Sequence, residues 1–471
     1  MTAFSLTPEQ LAWREELRAL AAERLRPLAD RGAPGRVNRP LLAELGALGL
    51  LPRLFTSGAL DLCLMRESLA YVCTEAETAL ALQGLGAHPV HAHGTESQRA
   101  RWLPRVADGS AVAAFALTEP GAGSDAAALS LRAERVAPGP PGEPEPPGES
   151  GPAEHSGPPG AQGASAVPGP TGQPGLTRPT GPTGQPGQPA AEPAAPRRRR
   201  SPRESAAWRL TGEKRWISNA PQADFYTVFA RTTPGAGARG VTAFLVPADR
   251  PGLTGEPLDM LSPHPIGTLV LDGVHVTTAD VLGAPDQGFR VAMDTLNLFR
   301  PSVGALAVGM AQAALDATLA HTAARDAFGG KLRDLQAVSH EVAEMALRTE
   351  AARLMVYAAA TAYDAGAPDV PRRAAMAKLL ATETAQYVVD RAVQLHGARA
   401  LLRGHLLEHL YREVRAPRVY EGASEVQRGI IAKELYRARD GAGGDGTRST
   451  PPDRTAPRTP PDQDPGTEAH A

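Results

Sequence analysis

The spacing of apolar residues in this chain of 471 residues changes twice, and that change limits what it can fold into. Up to about residue 115 the spacing is helical, as in Leu11, Leu17, Leu20, Ala21 and Leu25. From 112 to 282 the apolar residues fall in short β-type runs: Ala111 to Leu117, Ala128 to Val136, Trp208 to Thr211, Phe225 to Arg231, Val241 to Pro247 and Thr268 to Val276. From 286 to 438 helical spacing returns in four long stretches, near 287–325, 331–364, 370–396 and 404–412 with 424–438. Strands that follow one another without intervening helices argue against a parallel α/β sheet. The pattern predicts an α+β multidomain chain. An N-terminal α-helical domain (1–114) precedes a middle antiparallel β-barrel or sandwich (115–283), then a C-terminal four-helix bundle (284–438) and a disordered tail (439–471).

Local signals sharpen the first part. Thr7-Pro8-Glu9-Gln10 is a helix start, with a capping hydroxyl, proline at the first helical position and a glutamine able to reach back. Leu41 to Leu50 predicts a second helix closed by glycine, Leu60 to Leu82 a third, and Glu96 to Val106 a fourth with Trp102 and Leu103 inward.

Composition enters because the β-type region is interrupted. Pro and Gly together number 93, and 32 of them fall in residues 138–203. This insert has almost no large apolar side chains, so it cannot build a core and is expected to be disordered or polyproline-like. It separates the run ending near Val136 from the run starting near Trp208, so its expected place is a hairpin tip, where long insertions cost little. Arg197 to Arg200 closes it and reads as a solvated linker end rather than a nucleic-acid or lipid contact.

The remaining totals exclude classes. A net charge of −2 gives no general pull toward nucleic acid or anionic membrane. Cys63 and Cys73 are the only cysteines, too few for a disulfide framework or a cysteine-rich metal centre. Met1 to Gln10 lacks the basic and apolar regions of a secretory signal, so a cytoplasmic location is expected. Pro301 to Leu315 is uncharged but short for a membrane span, and reads as a buried helix. His88, His91 and His93 have no acidic or cysteine partner nearby in sequence and read as structural, while the pair His405 and His409 reads as a bundle-surface or interface feature; no metal site is expected.

Three stretches can carry chemistry. Leu117-Thr118-Glu119-Pro120-Gly121-Ala122-Gly123-Ser124-Asp125 contains Gly-x-Gly, but Ala126 replaces the third glycine of a dinucleotide fingerprint. What remains is a loop rich in hydroxyl and N–H donors, suited to a flat polar ring or phosphates. In Gly212-Glu213-Lys214-Arg215-Trp216-Ile217-Ser218, Trp216 and Ser218 are two apart on a strand and share a face, an indole wall beside a hydroxyl. In Arg418-Val419-Tyr420-Glu421-Gly422-Ala423-Ser424-Glu425, Glu421 stands before a glycine at a helix start. A carboxylate so placed can act as a base beside free N–H groups, or simply cap the helix.

Together these stretches resemble the acyl-CoA dehydrogenase family over nearly all of 5–438. Gly94-Thr95-Glu96-Ser97-Gln98 with Trp102-Leu103-Pro104, Arg325-Asp326-Ala327-Phe328-Gly329 with Gln336, and Gln394-Leu395-His396-Gly397 placed 27 residues before Glu421 support the resemblance. It implies FAD-dependent α,β-dehydrogenation of an acyl-CoA to the trans-2-enoyl thioester, with Glu421 as the base and flavin N5 as hydride acceptor. Its implied FAD contacts are Phe115, Leu117, Thr118, Gly123, Ser124, Trp216, Ile217, Ser218, Ala423, Ser424 and Glu425, with Arg325, Phe328, Gln336, Gln394, His396 and Gly397 contributed by a neighbouring subunit. Its implied substrate contacts are Ser124, Arg300, Tyr420, Glu421 and Gly422. Some members carry the base just before the arginine; here that residue is Phe299, which leaves Glu421. Where members often read Gly-Gly-x-Gly, this chain reads Gly397-Ala398-Arg399-Ala400. The implied partners are an electron-transferring flavoprotein and further copies of the chain as a dimer of dimers. An oxidase of the same fold and a flavin-bearing scaffold are the competing readings, and the acyl chain is left open.

Overall fold

The computed structural model describes residues 6–136 and 207–442. The expectation of disorder for 138–203 lies outside the described residues, as does that for the tail from 443 on; at 439–442, where the tail is expected to begin, the last helix (Ser424–Ala442) still runs.

The N-terminal part is built from α1 (Pro8–Leu20), α2 (Arg26–Ala29), α3 (Arg39–Ala47), α4 (Leu50–Thr56), α5 (Ala59–Val72), α6 (Thr74–His93) and α7 (Glu96–Ala107). Thr7 and Gln10 cap α1 reciprocally at 2.9 and 3.2 Å, and Thr95 and Gln98 do the same for α7 at 2.7 and 3.3 Å. The single helix expected over 60–82 is two. Cys73 adopts an extended conformation (φ −149°), and the Arg26 guanidinium donates to the carbonyl of Val72, capping α5 from outside. That contact is long-range, so apolar spacing alone carries no trace of it.

The middle part has β1 (Ala113–Ala116), β2 (Arg132–Val136), β3 (Ala207–Ser218), β4 (Phe225–Arg231), β5 (Val241–Pro247), β6 (Leu253–Pro257), β7 (Ile266–Thr277) and β8 (Val281–Leu282). They form one sheet in the order β6-β7-β3-β2-β4-β5-β8, with β1 also beside β4. The sheet is mixed rather than purely antiparallel: β1 and β2 run parallel to β4, while the other pairings are antiparallel. Neither β1 nor β2 meets β4 through a direct hairpin; each arrives after a long excursion, which is what parallel pairing requires. β2 and β3 are antiparallel neighbours, with Val136 opposite Ala207. β4 and β5 are buried almost throughout. Trp102 of α7 lies 4.5 Å from Phe225, and Trp208 of β3 lies 5.5 Å from Phe244.

The C-terminal part comprises α8 (Gly288–Ala324), a small hairpin of β9 (Asp326–Ala327) and β10 (Gly330–Lys331), α9 (Gln336–Asp364), α10 (Val370–His396), α11 (Leu406–Glu413) and α12 (Ser424–Ala442). α8 is long and apolar enough to cross a membrane by composition, but residues 299–311 are buried without a break among α5, α9 and α10. It is a central core helix, as read for Pro301 to Leu315. α5 approaches it closely: a Cβ on Gly309 would lie 2.3 Å from the carbonyl oxygen of Glu67, so only glycine fits.

Candidate functional site

α11 ends at Glu413, and residues 416–423 turn the chain into α12. Within that turn Glu421 has φ 51° and Gly422 φ 93°. Left-handed backbone at glutamate is strained and persists only where neighbours hold it. Here they grip both carbonyls. Arg300 Nε and Gln427 Nε2 donate to the Glu421 carbonyl at 3.4 and 3.2 Å. Lys378 Nζ and Gln427 Nε2 donate to the Gly422 carbonyl at 2.7 and 2.9 Å.

The side chain of Glu421 is the opposite case. Its Oε2 is buried and has no hydrogen-bond partner among the described residues. Burial pushes the carboxyl above its ordinary range, Arg66, Lys378 and Arg300 pull it down, and Glu77 adds to the rise; the net direction is up. The three cations come from three helices. Arg66 on α5 is buried, pairs with the buried Glu77 of α6 and donates to Ser302 Oγ at 2.7 Å. Arg300 on α8 is 5% exposed and also donates to Asn297 Oδ1 at 3.2 Å. Lys378 on α10 is wholly buried, and burial lowers its ammonium to about 8.

Of the neighbours expected around Glu421, Tyr420 is exposed, and Ser424 Oγ donates to Glu383 Oε1 at 2.5 Å. Glu383 is held in turn by Arg418 at 2.9 Å. Ala423 and Glu425 flank Ser424 at the start of α12, with Glu425 in solvent.

The loop after β1 forms a second group. Phe115 packs on Phe229 at 4.9 Å, and Leu117 is buried. Glu119 and Ala122 pair across a tight turn, leaving Gly121, Gly123 and Ser124 exposed, with open space around both glycines. A buried ion pair supports the turn from beneath. Lys214 Nζ lies 2.8 Å from Glu119 Oε1 and 3.0 Å from the Leu117 carbonyl; Glu119 also accepts from the N–H groups of Ser130 and Leu131 and from Ser130 Oγ. The Arg215 N–H donates to the Thr118 carbonyl at 3.0 Å, which brings the second motif to the first. The β3–β7 register slips between Lys214 and Ile217, and Trp216 sits at that irregularity with φ 56° and its indole 46% exposed. Ile217 is buried while Ser218 is half-buried, so Trp216 and Ser218 both lie away from the core.

A third group lies at the C-terminal ends of α8 and α10. Arg325, Gln394, His396 and Gly397 line one cleft of about 370 Å³ with His321, Ala398 and Arg399. His321 and His396 stack at 4.1 Å, and burial lowers both imidazoles, so at neutral pH the cleft's positive charge comes from its arginines. Ala398 is exposed at the cleft, whereas Ala400 is wholly buried in the bundle core. Phe328 stands on the β9–β10 hairpin, 89% exposed with φ 54°, and Gln336 opens α9. Among the described residues no hydrogen bond links this third group to Glu421 or to Trp216.

Sequence reading singled out Glu421, Trp216 and the Thr118–Ser124 loop, and did not single out Arg66, Glu77, Lys214, Lys378 and Gln427, which the structure sets around them. An open N–H-rich loop, an exposed indole in strained backbone and an arginine-lined cleft suit a planar ring joined to a diphosphate. The orphaned carboxylate oxygen of Glu421 suits an acid–base step.

The chain is similar to known proteins over most of its length. Residues 7–110, 180–274 and 286–436 match the N-terminal, middle and C-terminal domains of acyl-CoA dehydrogenases. The short-chain specific mitochondrial acyl-CoA dehydrogenase of Bos taurus is 30% identical over 437 residues, covering 90% of this chain and 89% of its own. The probable acyl-CoA dehydrogenase FadE25 of Mycobacterium tuberculosis is 29% identical over 445 residues, 92% of this chain and 97% of its own. Among solved structures, butyryl-CoA dehydrogenase from Megasphaera elsdenii superposes with a TM-score of 0.74 at 27% identity, covering 93% of this chain and all of that one.

Proposed function

The chain belongs to the acyl-CoA dehydrogenase family, an oxidoreductase of that type, and we propose that it desaturates the α,β bond of an acyl-CoA with Glu421 as the base. The observation that carries this reading is the unpartnered, buried Oε2 of Glu421. Leaving a buried carboxylate oxygen without a donor costs about 1–3 kcal/mol, so it is retained where a proton must be taken. Burial raises its carboxyl above the ordinary range, which makes it a stronger base than a solvated carboxylate.

Bound FAD supplies the acceptor for the β-hydrogen, which leaves as hydride. Every other step falls to the chain's own residues. An α C–H is acidic only if the thioester oxygen is stabilised as charge builds on it. The Glu421 N–H has no acceptor among the described residues and is free for that oxygen. Thr118, Ser124, Trp216 and Ser218 would hold the flavin ring. Arg325, Gln394, His396 and Gly397, with Phe328 and Gln336 nearby, would hold the diphosphate side. A second copy of the chain completing the site is part of this proposal. The proposed electron acceptor is an electron-transferring flavoprotein.

The test is Glu421→Gln, assayed anaerobically by bleaching of the bound flavin with butyryl-CoA and longer acyl-CoAs. Bleaching is expected to slow by about 10²–10⁴-fold with the yellow cofactor retained. Bleaching at the wild-type rate would remove Glu421 from the reaction, whereas a wild-type protein that no acyl-CoA bleaches would favour the scaffold reading.

A further inference from the structure

We propose that Lys378 is a positioning residue for this reaction: its ammonium pins the Glu421–Gly422 turn through the carbonyl of Gly422 and supplies positive charge beside the base. The inference rests on Glu421 being that base.

Lysine is almost never fully buried unless it is paired. Lys378 is 0% exposed, and no carboxylate lies within 4.0 Å of it among the described residues. Its single hydrogen-bond acceptor is a neutral one, the Gly422 carbonyl at 2.7 Å. A buried ammonium without an ion-pair partner lowers stability relative to a methionine of the same length. Packing therefore gives no reason for it, whereas the turn does. Glu421 must hold φ 51° to aim its carboxylate, and Gly422 φ 93° to follow it. Gripping the second carbonyl fixes both.

The surrounding charges show why this cation differs from the other two. Glu421 faces Arg66 on α5, Glu77 on α6, Arg300 on α8 and Lys378 on α10; Lys378 itself faces Glu421, Arg300, Glu383 and Glu425. Arg66 is anchored by Glu77 and Ser302, and Arg300 by Asn297 as well as the turn. Lys378 is anchored by the turn alone. Gln427 also binds the Gly422 carbonyl, so removing the lysine leaves that oxygen one donor and the turn less firmly held.

Two variants separate the hydrogen bond from the charge. Lys378→Met removes both, and Lys378→Gln removes the charge while keeping an N–H donor. The rate of anaerobic flavin bleaching by butyryl-CoA is followed from pH 5 to 9. Losing a cation beside Glu421 raises its pKa further, so the acid limb of the profile should move up in both variants by about one pH unit, a tenfold lower rate below the limb. The methionine variant should also lose about tenfold at its plateau, because a misaimed base is slow at any pH. A merely structural role would lower protein yield or melting temperature and leave the limb in place. Limbs that stay at the wild-type pH in both variants overturn the proposal. An active Glu421→Gln enzyme overturns the base reading instead, which keeps the two failures distinct. A second measurement is independent of substrate: thermal unfolding of Lys378→Met, Glu421→Gln and the double variant. Direct coupling should make the changes non-additive by about 2 °C or more, and strict additivity counts against it.

Discussion

At the scale of single residues, the buried charges decide most about this protein. Lys214 and Glu119 are 0% and 3% exposed and sit 2.8 Å apart under the Thr118–Ser124 loop. Removing one member of such a pair leaves the other charge buried alone, which costs about 3–5 kcal/mol. Lys214→Met should therefore lose that much in denaturant unfolding and weaken flavin retention, since Glu119 would no longer hold the turn. A loss under about 1 kcal/mol would show that water replaces the ammonium. The sequence displayed the residues that act locally. Glu421 and Trp216 stand in short motifs whose chemistry is readable in place. Lys214 and Lys378 act across 95 and 44 positions on partners that no spacing rule connects. One trace of them was available. The chain uses lysine four times against 45 arginines, and two of the four are the buried ammoniums at the site. A composition that favours arginine keeps lysine where a planar guanidinium does not fit.

At the scale of elements, what fixes the site is how the sheet meets the bundle. The connection between β6 and β7 carries Ser262 and His264, and both bind Glu413 at the end of α11, at 2.8 and 2.7 Å. That contact steadies the helix from which the Glu421 turn departs. Burial alone would lower the His264 imidazole, but the Glu413 carboxylate overrides it and the net shift is upward. Burial would likewise raise Glu413, but His264 overrides it and holds the carboxyl down to about 2. A raised histidine contributes stability that is complete below its unfolded value and is lost as pH climbs through the folded one. A depressed carboxylate contributes stability that is complete above 4.5 and is lost as pH falls toward about 2. The clamp is thus strongest between about pH 4.5 and 6.5. Melting of His264→Ala beside wild type should show its largest gap near pH 5.5 and a shrinking one as pH rises above about 6.5. A gap independent of pH would mean that the contact holds by packing. Little of this joint was legible beforehand. Periodicity gave the order of helices and strands, but the break at Cys73 and the parallel pairing of β1 and β2 with β4 depend on contacts between distant segments.

At the scale of the whole molecule, the question is how a body carrying the site of a compact enzyme family accommodates the Pro- and Gly-rich insert. The pairing of its flanks supplies the answer. Val136 ends β2 directly opposite Ala207 in β3, and the register continues inward through Arg135–Trp208, Glu134–Arg209 and Ala133–Leu210. The two chain ends are therefore already at hairpin distance, and the ladder beneath them includes the buried Trp208 and Leu210. The cost of closing a loop there grows only as the logarithm of its length. A two-residue Asn-Gly turn matches the twist of an antiparallel pair. Replacing 137–206 by Asn-Gly should leave the melting temperature within about 3 °C of wild type, the difference in closure entropy between a long loop and a short one. Flavin content and the bleaching rate should also stay unchanged, because Lys214 and Trp216 lie further along β3, past its last rung with β2 at Thr211, where Lys214 pairs instead with Leu269 of β7. Loss of the cofactor on this replacement would mean that the insert reaches the site and takes part in it. Retention of cofactor with loss of turnover would instead tie the insert to the acyl-CoA or the electron acceptor.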